Sequence, residues 1–290
     1  MKYNILIIVQ SALLVVLSTA SHAGPFAPAA GTAGSTAIDA NASEVIGWAS
    51  AVNAYQPGTD VDIGFQTPER SLGPAGNSDG NNNGVTFDIV SLGRGGSITL
   101  TFDSPISNGA GADFAIFENS FSDNFLELAW VEVSSNGNDF IRFAGASLTS
   151  TTVGPFSNTM DPSNITGLAG KYRAGFGTPF DLELLLGSAN LDVNNISHVR
   201  IVDIVGDGSV LDDLSVSVGP NPIYDPFPTT GSAGFDLESV AVMHFANAAV
   251  EENVPIPSTA LFVLGLILFA LKHLTVHSAE LQSKRRSQNH

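Results

Sequence analysis

Cysteine is absent from all 290 residues, which excludes disulfide staples, thiolate metal sites and a thiol nucleophile. Basic residues are scarce, 11 against 28 acidic ones. Only Arg70, Arg94, Arg142, Lys171, Arg173 and Arg200 fall within residues 24–257, whereas Glu280 alone of the acids lies outside, so this stretch carries 6 − 27 = −21. Phosphate recognition draws on clustered Lys and Arg, and the balance here argues against nucleic acid as a partner and for a cation. Histidine is thin as well. Of the six, only His198 and His244 lie within this stretch, too few for a zinc cluster. No Gly-x-Ser-x-Gly stands on a strand-to-helix turn, and abundant carboxylates do not by themselves make a glycosidase, so a non-catalytic role is expected. The interior also lacks long apolar runs and any repeat of 20 to 50 residues, which speaks against a solenoid or propeller.

What is present is turn chemistry and strand patterning. With 29 Gly and 15 Pro separating short apolar runs, the chain reads as many strands joined by tight turns. Ile98, Leu100 and Phe102 alternate in Ser97 to Phe102. Asp113 to Asn119 is apolar until Glu118 and Asn119. Trp130 to Ser134 and Phe140 to Phe143 flank Asn136-Gly137, the strongest short hairpin signal. Further strands are expected over Val199 to Val205 and Phe235 to Phe245, with Leu237, Val240 and Val242 in the core. Two short helices are expected. One is capped by Asn41 or Ser43 and carries Val45, Trp48, Ala49 and Val52 at helical spacing; the other runs from Asp181 at the N-cap to Leu186, with Gly187 beyond its end. The expected fold is all-β, an antiparallel β-sandwich of the jelly-roll kind with one or two short helices.

Both ends of the chain point to export. Lys2, the apolar Ile5 to Val9 and Ala12 to Leu17, and the small-x-small pattern Ser21-His22-Ala23 have the layout of a secretory signal peptide over residues 1–23. Residues 24–35 read as a small-residue linker and 36–249 as the β-domain. A Pro-containing stalk (250–257) precedes an apolar membrane helix (258–276) and a basic cytoplasmic tail (277–290) with Lys284-Arg285-Arg286. Its uncharged run from Ser258 to Leu271 is about 14 residues, short of the roughly 20 of a permanent span. The motif Val254-Pro255-Ile256-Pro257-Ser258-Thr259, followed by the apolar helix and the basic cluster, resembles the PEP-CTERM sorting domain of Gram-negative envelope proteins. Ile256 stands where that family usually has Glu, and the segment after Leu271 is longer than usual. The resemblance implies export, transient membrane anchoring, recognition by an exosortase-type transpeptidase, and delivery to the cell surface or an exopolysaccharide matrix.

The β-domain has a resemblance of its own. Ser91 to Leu100, Asp113 to Asn119, Val131 to Phe140, Gly177 to Leu182 and Gly234 to Val242 resemble a family of bacterial cell-surface proteins of unassigned role. The Val131 to Phe140 hairpin is similar to that of discoidin-type and carbohydrate-binding jelly rolls. That likeness implies polysaccharide binding or adhesion.

Two groups of oxygen ligands suit calcium. Asp79, Asn81, Asn83 and Gly84 match the first, third, fifth and sixth positions of an EF-hand loop, although Val90 occupies the twelfth and Asp88 would have to substitute. The second group is spread along the chain: Asp113, Glu118, Asn119, Asp203, Asp207, Asp225, Asp236 and Glu238. In jelly-roll modules calcium sits at a strand end between acids from two distant strands, which singles out Glu118, Asn119, Asp225 and Asp236. Glu118 and Asp236 end apolar strands, where an unpaired carboxylate is costly. Either calcium or a pairing with Arg94, Arg142 or Arg200 would relieve them. Tyr224, in a proline-rich loop beside Asp225, is the candidate sugar-contacting aromatic, whereas Trp48, Trp130, Tyr55 and Tyr172 are expected mainly in the core.

Overall fold

The computed structural model describes residues 24–76, 87–213 and 219–246. The signal-peptide segment, the Asp79, Asn81 and Asn83 loop, and the sorting tail with Val254, Pro255, Pro257, Ser258 and Thr259 lie outside the described residues. Among the described residues no helix is long and apolar enough to cross a membrane.

The described residues are mostly β, built from antiparallel sheets with short 3-10 turns between them. In order, the strands are β1 (Ile38–Asp39), β2 (Gly47–Trp48), β3 (Ala51–Gln56), β4 (Val90–Ser91) and β5 (Ser97–Ile106). They continue as β6 (Phe114–Glu118), β7 (Ala129–Ser134), β8 (Ile141–Arg142), β9 (Ala146–Ser147) and β10 (Ile165–Thr166). The last are β11 (Phe176–Phe180), β12 (Ile196–Asp203), β13 (Asp207–Leu211), β14 (Pro222–Tyr224) and β15 (Asp236–Val242). One sheet has the order β1-β11-β6-β15-β2, with β4 also pairing β15; the other runs β3-β5-β12-β7-β8. Two small ladders, β9 with β10 and β13 with β14, complete the set.

The period-two reading explains why these segments pair. Ile98 and Leu100 of β5, Val131 and Val133 of β7, and Val199 and Ile201 of β12 turn one face of their sheet into a hydrophobic cluster. Phe114, Ile116, Leu237, Val240 and Val242 of the other sheet belong to the same cluster. A second cluster gathers Leu126, Leu128, Trp130, Met160, Leu168, Ile204 and Ile223. A third, with Ala115, Phe117, Ala241 and Met243, covers the remaining face of β6 and β15, so both of these strands are buried along their whole length. The expected hairpin closes as β7 and β8, with Gly137 at a positive φ of 76° in its turn.

The helix expected around Val45 to Val52 does not form. Trp48 instead pairs with Ala241, and Val52 with Leu100, so the segment forms β2 and the start of β3. Apolar residues three and four apart fit a helix face, but here Ala49 turns into the core between two strands that dock on different sheets. The second helical turn holds as a 3-10 helix over Leu182–Leu185, where the Asp181 side chain accepts from the Glu183 N–H at 2.9 Å. Residues 24–35 lie against the domain: Gly24 N–H donates to Ser163 Oγ and Arg173 Nη1 to Ala30 O.

Asp113 has a structural task separate from the other acids. It is fully buried; its Oδ1 accepts from Gly109 N–H at 2.7 Å and lies 2.8 Å from His244 Nδ1, and its Oδ2 accepts from Leu182 N–H at 2.7 Å. Asp113→Ala strands the buried Leu182 N–H and the part-buried Gly109 N–H, and a urea titration will show a loss of roughly 3 kcal/mol.

Candidate functional site

The topology brings six carboxylates from distant parts of the chain to one place. Glu118 ends β6, Glu127 precedes β7, Asp203 ends β12, Asp225 follows β14, and Asp236 and Glu238 stand at the start of β15. All six are buried, none more than 6% exposed. Leu237, between the last two acids, pairs opposite Glu118, which places β6 and β15 side by side at the cluster.

Backbone donors hold part of this charge. Asp203 accepts from Gly95 N–H and Phe235 N–H, both at 2.8 Å. Asp225 Oδ2 accepts from Leu128 N–H at 2.9 Å, while its Oδ1 presses so closely on Gly206 that a Cβ there would stand 1.6 Å away. Glu118 Oε2 accepts from Ser120 N–H at 2.9 Å, and Glu238 Oε1 from Gly76 N–H at 2.5 Å. Glu127 Oε1, Asp236 Oδ1, Asn119 Oδ1 and Ser91 Oγ are among the buried oxygens without an aligned hydrogen bond, although the Ser91 hydroxyl acts on Asp236 and the Thr229 hydroxyl on Glu127.

The electrostatics follow from burial and crowding. Burial first, then the Asp236 charge, pushes the Glu118 carboxyl well above the usual carboxylate range. Glu127 rises for the same reasons, with Glu118 and Asp225 adding to the effect. Burial and Asp203 raise Asp225. Burial lifts Asp236 to about 7; the nearby Ser91 and Ser232 hydroxyls pull it back, although Ser91 Oγ makes no aligned hydrogen bond. Asp203 also reaches about 7 through burial, opposed by its two backbone donors and by Arg94. The Asp236 field extends to Tyr55, whose hydroxyl donates to Ser91 O at 2.7 Å and is pushed up to about 12 by burial and Asp236.

Among the described residues, no Lys or Arg forms an ion pair with Glu118, Glu127, Asp203, Asp225 or Asp236. Arg94 pairs with Asp60 at 2.7 Å, Arg142 with Asp213 at 2.5 Å, and Arg200 with Glu132. Arg70 pairs with Asp88 at 3.4 Å and Arg173 with Asp123 at 2.6 Å, while Lys171 Nζ donates to Ile165 O at 2.8 Å. Thus none of the three arginines expected as partners of Glu118 and Asp236 takes that role; only Arg94 acts on the edge of the cluster, at Asp203. Hard oxygens with one lone pair each to spare are calcium chemistry. No three of the described His, Asp and Glu side chains are grouped so as to hold a metal ion as they stand. A calcium here would draw also on Asn119 Oδ1, backbone carbonyls and water.

Of the sequence-predicted ligands, Glu118, Asn119, Asp225 and Asp236 are thus set around one cluster. Asp207 sits outside it, exposed, accepting from Ser209 N–H, yet near enough to raise Asp225. Asp88, proposed as a substitute ligand for the Asn/Gly loop, faces Arg70, and Val90 is buried in β4. Glu127 was not singled out in the sequence; its one signal is an acid alternating between Leu126 and Leu128 in an apolar run.

Tyr224 is half-buried, its ring against Gly208 and the second cluster, while Asp225 turns inward. Trp130 lies buried beneath the Arg142 guanidinium at 4.1 Å, Tyr172 is buried, and Trp48 tilts against Phe117 at 5.4 Å. A pocket of about 650 Å³ opens elsewhere, lined by Phe143, Phe180, Leu184 and Leu185, with Arg142 and Asp181 at its polar edge.

Comparison with known protein families and with curated proteins found no match.

Proposed function

We propose that this is an exported cell-envelope or matrix protein whose β-domain is a non-catalytic binding module stabilised by calcium. The single observation behind the reading is the cluster of buried carboxylates, of which Glu118, Glu127, Asp225 and Asp236 form no ion pair with the lysines and arginines among the described residues. Burying ionised groups without a partner is prohibitive, so the cluster is held neutral by protons or by a bound cation. Calcium held by Glu118, Asn119, Asp225 and Asp236 satisfies it at neutral pH. Two antiparallel sheets contributing to one core support a jelly-roll sandwich as the finer description of the fold.

The signal-peptide pattern and the PEP-CTERM-like tail support export, transient membrane anchoring and processing by an exosortase-type transpeptidase, ending at the outer surface or in an exopolysaccharide matrix. For protein recovered from that surface, the intact mass is expected to lack the residues beyond about Thr259, because a short apolar run followed by cations is a poor permanent span. A mass that includes Lys284-Arg285-Arg286 would make the helix a permanent anchor instead.

The ligand class we propose is a polysaccharide. An apolar pocket with Arg142 and Asp181 at its edge suits a sugar ring, which has one apolar face and a polar rim. A glycan array probed with the full-length protein in detergent is expected to show one polysaccharide class bound. Leu184→Asp, at a side chain that is 77% exposed, is expected to weaken that binding about tenfold with Tm unchanged. An array with no signal favours the alternative, a structural surface protein without a specific ligand.

A further inference from the structure

Asp181 caps the 3-10 turn Leu182–Leu185 with one carboxylate oxygen only. Its Oδ1 accepts from the Glu183 N–H at 2.9 Å, whereas its Oδ2 takes part in no hydrogen bond or ion pair among the described residues. The Leu184 N–H donates to Asp181 O at 3.2 Å, closing an i to i+3 turn, and residues three apart in such a turn stand on one face. A free acceptor and a leucine that is 77% exposed thus lie side by side on the pocket of about 650 Å³ whose inner wall includes Phe143 and Phe180. At Gly167 the pocket wall carries no side chain: φ is +67° there, and a Cβ would stand 2.1 Å from Ala144 O.

Charge decides which sugars can enter. Of the residues lining the pocket only Arg142 is cationic, and it is committed: its Nη2 holds Asp213 at 2.5 Å and its guanidinium lies 4.1 Å from the Trp130 ring centroid. Elsewhere among the described residues Arg70, Arg94, Arg173 and Arg200 each pair with an acid, and Lys171 is buried. A polyuronate would meet no free Lys or Arg on this surface, within a stretch of residues 24–257 that carries 6 − 27 = −21. A sugar ammonium fares no better in the pocket, since the walls are mainly apolar and a single carboxylate would have to offset its desolvation. A neutral hydroxyl donated to Asp181 Oδ2 has no such cost and makes a charge-assisted hydrogen bond.

We propose that the polysaccharide taken by this pocket is uncharged, its ring hydroxyls donating to Asp181 Oδ2 while its apolar face covers Leu184. The proposal rests on the polysaccharide reading above and deepens it, from any sugar to a neutral one and from a pocket edge to one specificity-determining residue. Arg142, paired and stacked, is then part of the wall rather than a receptor for a sugar carboxylate.

An array of immobilised polysaccharides separates the classes: neutral (dextran, mannan, galactan), uronate-bearing (alginate, polygalacturonate) and amine-bearing (chitosan), probed with the full-length protein in a non-glycosidic detergent at physiological salt. Binding is expected on neutral members alone, and to change by less than about twofold when the salt is raised, since no ion pair is broken. On the bound member Asp181→Asn, which keeps a side-chain oxygen to cap the turn, is expected to weaken binding about tenfold. Glu183→Gln, at an exposed acid in the same turn that does not line the pocket, is expected to leave it intact. Should Asp181→Asn fail to fold by circular dichroism, Asp181→Ser, with an oxygen still at the cap, decides in its place. Binding to alginate, polygalacturonate or chitosan, or neutral binding that Asp181→Asn leaves unchanged, overturns the proposal and leaves the polysaccharide reading standing; no binding to any member of the array overturns both.

Discussion

Stripping calcium with EDTA at pH 7.5 is expected to lower the melting temperature, and Asp236→Asn to remove most of the difference. On the proposed calcium reading the ion would bind only the folded arrangement of Glu118, Asn119, Asp225 and Asp236 and stabilise by mass action, about 2.7 kcal/mol when free calcium is a hundredfold above Kd. For a domain of this size that corresponds to a Tm change of about 5 to 10 °C. Asp236→Asn is diagnostic because it acts in opposite directions on the two states. It deletes a ligand, yet in EDTA it also deletes the charge that raises Glu118 and Glu127, so the metal-free variant is expected to melt above the metal-free parent. Superimposable melting curves with calcium and EDTA would remove the metal from the account and leave protons to neutralise the cluster.

In EDTA, the protein grows less stable as the pH rises from about 4 to above 7. Asp203 and Asp236 sit at about 7 in the fold against an ordinary 3.8, so the unfolded chain releases these protons first. A raised carboxyl contributes its full stability below the unfolded value and loses it as the pH climbs through the folded one. At roughly 1.4 kcal/mol per unit, Asp203 alone accounts for on the order of 4 kcal/mol between those limits. Glu118, Glu127 and Asp225 are displaced in the same direction. Urea midpoints at pH 5 and pH 8 measure this. With saturating calcium the fall is expected to flatten, since the bound ion favours the ionised form. A metal-free midpoint that rises toward pH 8 would mean the carboxylates are ionised and compensated within the fold.

The strands were legible because burial of one sheet face imposes alternation on the sequence, and β5, β7, β12 and β15 carry it plainly in Ile98 and Leu100, Val131 and Val133, Val199 and Ile201, and Val240 and Val242. The Val45 to Val52 segment misled for a physical reason: its apolar residues serve two different sheets with a bend at Ala49, and that spacing imitates a helix face. At the site, Glu118 and Asp236 could be read because an acid at the end of an apolar strand is conspicuous. That Arg94, Arg142 and Arg200 all pair elsewhere could not, since Asp60, Asp213 and Glu132 are as acidic in the sequence as the carboxylates they leave alone. Glu127 escaped notice because the acids that act on it, Glu118, Asp225 and Asp236, are distant in the sequence, and only the fold assembles them.

The most direct test of the central claim is anomalous diffraction from crystals of the protein grown with calcium. The calcium reading predicts one peak enclosed by Glu118, Asn119, Asp225 and Asp236, with oxygens about 2.3 to 2.6 Å away. A well-ordered cluster with no peak, its carboxylates hydrogen-bonded to one another or to water, would contradict it.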